Sequence, residues 1–308
     1  MNVTRRAAAA VSLASILGLS SLSFAAKPPP PPPPASSDPQ LAYRLPDGKG
    51  TKLVVSTESG ANQMTLYKSS ASFRFDLAPR GQRQVAIVDG FSSSPTLKLL
   101  TYDISTSGIY VQSGLQTLTS ARGSGNVDFS PDGTKIAYIC CSDGTNETLA
   151  VYDLTDGRIT PWATAPYFWD ITWFRNGASI AYSTQIPTAL YELTGPGATP
   201  QLLYTGQGQL DIDSSRTDPD ALLLSYNDTS GDARIGLWKN GVFTNPNLAN
   251  STRSWVGNLN CRDDSLVYGG VQNNSGSQAF YVRDLNSGLI TLVSKNSNIM
   301  PQYWPTCS

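Results

Sequence analysis

One stretch constrains what this chain can fold into: Val127–Leu154, VDFSPDGTKIAYICCSDGTNETLAVYDL. Val127-Asp128-Phe129 is a short alternating run, and Ser130-Pro131-Asp132-Gly133 turns the chain. Pro presets one turn dihedral, Asp bonds its own backbone, and Gly takes positive φ without steric cost. Lys135–Cys140 reads as a second β run, Ser142–Asn146 as a loop and Thr148–Leu154 as a third β run. Thr155-Asp156-Gly157 is a hairpin turn, and Arg158–Trp162 opens a fourth strand. Four antiparallel strands in about 44 residues is the length of one propeller blade.

The turn-plus-strand returns along the chain. Ala42–Val55 reads AYRLPDGKGTKLVV, Phe75–Val88 reads FDLAPRGQRQVAIV and Ile171–Tyr182 reads ITWFRNGASIAY. Asp211–Leu224 reads DIDSSRTDPDALLL and Leu259–Tyr268 reads LNCRDDSLVY. The third strand recurs as LKLLTYDI, TLAVYDL, RIGLWKN and AFYVRDL. Pro301–Pro305 (PQYWP) looks like one more opening strand with nothing after it. A blade cannot bury both of its faces alone, so such units stack around an axis. The expectation is an all-β fold: a six-bladed β-propeller of four-stranded antiparallel blades, closed by the C-terminal strand, with seven blades as the rival count. The FSPDG turn, IAY strand and VYDL strand resemble the TolB-type (WD40-like) family of periplasmic propeller repeats, over residues 41–305. The resemblance implies a fold and a periplasmic partner complex, not a reaction. The family's N-terminal α/β domain is not evident in this sequence.

Residues 1–26 read as a signal peptide: Arg5-Arg6, an apolar Ala7–Leu19, then Ser23-Phe24-Ala25 before cleavage. Sec export fits this leader, and the Arg pair also permits the twin-arginine route. Residues 27–40 form a proline-rich linker around Pro28–Pro34, a stiff polyproline II spacer or a ligand for an aromatic-lined groove. Residues 41–308 form the propeller. Removing the two leader arginines leaves 20 basic residues against 23 acids, a net charge of −3. That mild charge, with no basic tract, gives no reason to expect nucleic acid or an anionic membrane as partner. A monomer, periplasmic or secreted and without a transmembrane segment once mature, is expected.

Export makes disulfides among Cys140, Cys141, Cys261 and Cys307 an expectation. A Cys261–Cys307 bridge would pin the C-terminus. Cys140 and Cys141 point to opposite faces of a regular strand, and either form a strained vicinal disulfide or stay as one buried and one exposed thiol. Without His or a CxxC the metal reading is poor.

His is absent from the entire chain. That removes Ser-His-Asp and Cys-His catalysis and His-ligated metals. Carboxylate chemistry survives, but Glu occurs only at positions 58, 147 and 192, and no catalytic constellation is visible. Asp211, Asp213 and Asp218 are spaced as in a calcium loop but lack its central Gly and distal Glu, so a plain turn is the favoured reading and no cofactor is expected.

If the first strand of each blade runs down, the longer loops and the links between blades share the upper rim, and binding groups belong there. Tyr167, Phe168 and Trp169 form the aromatic segment of that rim, with Trp255 at an equivalent link and Arg122, Arg253 and Glu58 as polar neighbours. Aromatics converging on a channel mouth hold a peptide or stack on a sugar. Trp173 and Tyr303 align with Phe129 and read as packing residues. The sequence therefore reads as an exported, non-catalytic scaffold for a protein or peptide partner in the cell envelope. The alternative is a glycan-binding or glycan-cleaving propeller using the same rim.

Overall fold

A computed structural model describes residues 41–303 except 57–62, 80, 91–93, 107–108, 123–124, 246–252, 261, 272–277 and 295–300. Residues 1–40 and 304–308 lie outside it, as do the side chains of residues 245, 253–256, 271, 278, 294 and 301–303. The described chain forms six four-stranded antiparallel sheets arranged as a propeller, with no helix among the described residues. Blade 1 contains β1 (Leu41–Asp47), β2 (Gly50–Ser56) and β3 (Met64–Ser69), and blade 2 contains β4 (Phe73–Leu77), β5 (Gln84–Asp89), β6 (Thr96–Ile104) and β7 (Tyr110–Ser120). Blade 3 is β8 (Val127–Phe129), β9 (Lys135–Ser142), β10 (Glu147–Asp153) and β11 (Ile159–Ala165). Blade 4 is β12 (Asp170–Trp173), β13 (Ile180–Gln185), β14 (Thr188–Leu193) and β15 (Gln201–Thr205). Blade 5 is β16 (Asp211–Ser214), β17 (Ala221–Asn227), β18 (Ala233–Lys239) and β19 (Val242–Asn245). Blade 6 is β20 (Arg253–Leu259), β21 (Ser265–Val271), β22 (Gln278–Asp284) and β23 (Ile290–Ser294), and β24 (Pro301–Tyr303) returns to blade 1.

Each blade hides its faces against its neighbours through the second strand. In β9, Ile136 and Tyr138 enter the core shared with blade 2, while Ala137 enters the core shared with blade 4. The alternation follows from the pleat, and the small residue lets the next blade's inner strand approach. Ile180-Ala181-Tyr182 and Leu266-Val267-Tyr268 divide between two cores in the same way. Leu41-Ala42-Tyr43 obeys the rule too, with Leu41 and Tyr43 facing blade 6 and Ala42 facing blade 2. This corrects the reading of Ala42–Val55 as an opening turn: β1 is the second strand of its sheet, and β1–β2 is one strand further along than the look-alike segments.

The missing first strand is β24. It pairs Tyr303, Gln302 and Pro301 with Leu41, Ala42 and Tyr43. Phe129, Asp128 and Val127 pair with Ile136, Ala137 and Tyr138 in the same register. The C-terminal strand thus closes the ring as expected. The proposed Cys261–Cys307 bridge lies outside the described residues.

The SPDG turn of blade 3 is fixed by its own side chains. Thr134 N–H donates to Asp132 Oδ1 at 3.0 Å, and Lys135 N–H to Ser130 Oγ at 2.9 Å. Gly133 sits at φ 69°, and a Cβ there would collide with Gln82 of blade 2, whose Nε2 donates to the Asp132 carbonyl at 2.9 Å.

Candidate functional site: an acidic channel and its aromatic rim

The register places one residue of each opening strand at the same height. These are Gln302, Asp76, Asp128, Thr172, Asp213 and Asn258, opposite Ala42, Ala86, Ala137, Ala181, Leu223 and Val267. One layer higher come Arg74, Asn126, Asp170 and Asp211. Between the layers lies a cavity of about 70 Å³ bordered by Arg74, Asp76, Asn126, Asp128, Asp170 and Asp211. That is room for a few waters, not for a sugar ring.

The acids link blade to blade. Asp76 Oδ2 accepts the Phe129 N–H at 2.7 Å, and Asp128 Oδ2 accepts the Trp173 N–H at 2.5 Å. Blade 4 has Thr172 at this height, and Asp170, two residues earlier, takes over: its Oδ2 accepts the Ile212 N–H at 2.8 Å. In all three the carboxyl reaches the residue after its own counterpart in the next opening strand. In blade 5, Asp213 accepts from Asn258 Nδ2 at 2.7 Å instead. These carboxyls satisfy donors that a dry blade interface would otherwise strand.

Burying so many acids forces protons onto some of them. Burial raises Asp76 above the usual carboxylate range, which favours a proton on the Asp76–Asp128 pair. Burial, then the neighbouring Asp76, pushes Asp128 well above the usual carboxylate range. Burial also raises Asp213, to about 6, against the pull of Arg216, with which it pairs at 3.1 Å. In the upper layer burial and then Asp211 push Asp170 up to about 8. Its Oδ1 already accepts from Asn126 Nδ2 and from the Ile171 N–H.

The rim link from blade 3 to blade 4 alternates. Tyr167 and Trp169 are half-exposed with ring centroids 6.3 Å apart. Trp169 is held by Nε1–H donation to Asp211 Oδ1 at 2.9 Å and by N–H donation to the Ser183 carbonyl at 2.8 Å. Phe168, grouped with them from sequence, is instead only 2% exposed and packs edge-to-face on Tyr182 at 5.1 Å. The link between β11 and β12 turns its middle residue inward, and the N–H of that residue donates to Glu147 Oε2 at 2.8 Å. Glu147, 1% exposed, pairs with Arg122 at 3.0 Å. Arg122 therefore neutralises a buried carboxyl, and only part of its side chain meets solvent. Trp173, read as a packing residue, is buried. Trp255 and Arg253 are described only as backbone, paired with Gly269 and Val271, and Glu58 lies outside the described residues, between β2 and β3.

The spacing of Asp211, Asp213 and Asp218 does not converge on one point. Asp211 accepts from Trp169, Asp213 pairs with Arg216, and Asp218 pairs with Lys239 at 2.6 Å. Among the described residues no group of three potential ligands is placed to hold a metal ion. Cys140 and Cys141 are free thiols on a bulged strand rather than on opposite faces of a regular one. Asp76, Asp128 and Asp170 escaped the sequence reading, and Asp211 and Asp213 were weighed only as a calcium-like spacing, although the signal was visible: Asp recurs in FDL, VDF, DIT and DID, at the opening of four successive blades.

No family model matches the sequence, and no curated protein matches it. Solved structures do. TolB from Acinetobacter baumannii is similar at TM-score 0.68 and 15% identity, over 87% of this chain and 67% of that one. A putative TolB from Agrobacterium tumefaciens is similar at TM-score 0.57 and 12% identity, over 88% of this chain and 100% of that one. A puromycin-hydrolysing peptidase from Mycobacterium tuberculosis is similar at TM-score 0.52 and 14% identity, but this chain spans only 47% of it. At such identities the likeness is one of fold, and the fold of this chain is that of a TolB-type, WD40-like β-propeller.

Proposed function

We propose that this chain is an exported, non-catalytic propeller that captures a protein or peptide partner in the bacterial cell envelope. The observation that carries the reading is the half-exposed Tyr167–Trp169 pair, rigidly held above the acidic channel. Aromatic side chains pre-organised on a rigid frame lose little entropy on binding and supply most of the affinity at peptide interfaces. The leader at residues 1–26 and the likeness to TolB structures support an envelope location. Among the described residues no helix is long and apolar enough to cross a membrane.

Absence of His, and acids whose oxygens are already taken by backbone donors, favour binding over catalysis. Affinity capture from envelope extract with the wild type and with Trp169→Ala tests the reading. Loss of one partner band with the variant is expected, and an identical set of captured proteins would remove the rim from the account. Glycan binding at the same rim is the second reading, favoured by the carboxyl of Asp211 bonded to the Trp169 ring. Retention on a glycan array, abolished in Trp169→Ala, would select it.

A further inference from the structure

The middle of blade 3 carries two adjacent thiols that the rim does not use. In the ladder between β9 and β10, Ile139 pairs with Leu149 and Cys141 with Thr148, so Cys140 is the extra residue of a β-bulge. A regular strand would send consecutive side chains to opposite faces, and the bulge cancels that alternation. The two Sγ atoms lie 2.6 Å apart. Cys141 is exposed, and Cys140 is half-buried against the core between blades 2 and 3.

The surrounding backbone is held from both sides. The Arg122 N–H donates to the Ile139 carbonyl at 3.0 Å. Beyond the pair, Asp143 Oδ1 accepts from Thr145 N–H at 2.8 Å and Asn146 N–H at 2.6 Å, which fixes the loop that ends the strand. The sulfurs meet without any loop movement.

We propose that Cys140 and Cys141 form a thiol–disulfide exchange site that closes to a vicinal disulfide at the expense of a small external disulfide. The exposed Cys141 thiolate attacks one sulfur of the external disulfide, R–S–S–R. That S–S bond breaks, the first R–S⁻ leaves and takes a proton, and Cys141 carries the mixed disulfide. Cys140 then gives its proton to solvent and attacks Cys141 Sγ, expelling the second R–S⁻. The protein loses two electrons and two protons, and the external disulfide becomes two thiols. Burial, and then the Cys141 thiol beside it, push the Cys140 thiol up to about 12, so Cys140 stays protonated while the exposed Cys141 reacts first, and the second step relies on the contact between the two sulfurs.

Trypsin makes the test direct. Ile136–Arg158 contains no internal Lys or Arg and carries both thiols, while Cys261 and Cys307 fall on other peptides. The full chain is incubated with oxidised glutathione, alkylated, digested and weighed. The proposal expects the Ile136–Arg158 peptide unalkylated, two hydrogens lighter than the dithiol and joined to nothing, and doubly alkylated after reductant. It expects Cys140→Ser to stop at a glutathione adduct on Cys141. Double alkylation after oxidation, a cross-link to either other cysteine peptide, or a wild-type product that stops at the glutathione adduct would overturn it.

Discussion

A buried carboxyl costs free energy unless its oxygens find donors; Asp76, Asp128 and Asp170 each find a backbone N–H of the next blade, and Asp213 finds the Asn258 side chain. Asp128→Ala would leave the Trp173 N–H without its acceptor and should cost about 1–3 kcal/mol. Asp128→Asn keeps an acceptor oxygen and is neutral without a bound proton, so it should cost distinctly less. Denaturant midpoints of the two variants check the order. The pH dependence follows from the same residues. Asp170 and Asp213 are raised from 3.8 to about 8 and about 6, so between those limits the folded state holds protons that the unfolded chain has released. Their contribution is complete below pH 3.8 and is lost as pH rises through 6 and then 8. Surface acids run the other way: backbone and Thr145 hydrogen bonds lower Asp143 to about 2, and its contribution is lost as pH falls through that value. Thermal midpoints should therefore be highest in mild acid and fall toward pH 8, and Asp170→Asn should flatten the upper part of that fall. A midpoint that climbs steadily from pH 5 to 9 would contradict the protonated channel.

At the scale of the strand, the pleat decides most of what happens. The second-strand pattern of a large residue, a small one and Tyr sorts its side chains between two cores in blades 3 and 4, and Leu41-Ala42-Tyr43 does the same. This much was legible in the residues, and so was the closing role of Pro301–Tyr303. The placement of Ala42–Val55 was not: Leu45-Pro46-Asp47-Gly48 copies the SPDG turn, and a turn signal alone does not say which pair of strands it joins. Phe168 misled for a related reason, because a run of three aromatics in a link does not show which one turns inward. The meeting of Cys140 with Cys141 was also hidden, since a bulge depends on the partner strand. Deleting residues 301–308 tests the closure. It strips the inner edge of β1 of its ladder, at roughly 0.5–1.5 kcal/mol per lost hydrogen bond. A loss of about 2 kcal/mol or more corresponds to a melting point lower by roughly 4–8 °C. An unchanged melting point would mean that β24 contributes nothing to the ring.

As a whole, the molecule is a ring in which every sheet is shielded by two others and no sheet is self-sufficient. The channel is narrow because its lining acids are spent on joining the blades, which leaves the rim as the surface with groups to spare. The fold is shared with proteins of different chemistry, a TolB and a peptidase among them, so the ring fixes where binding groups stand and leaves open what they bind. All of this geometry depends on the first and last strands meeting. Amide hydrogen exchange on the full-length chain measures that meeting directly. The account predicts that amides of Leu41–Tyr43 exchange as slowly as those of Ile136–Tyr138, their counterparts in blade 3. Fast, terminus-like exchange at Leu41–Tyr43, with Ile136–Tyr138 still protected, would show an open ring and contradict it.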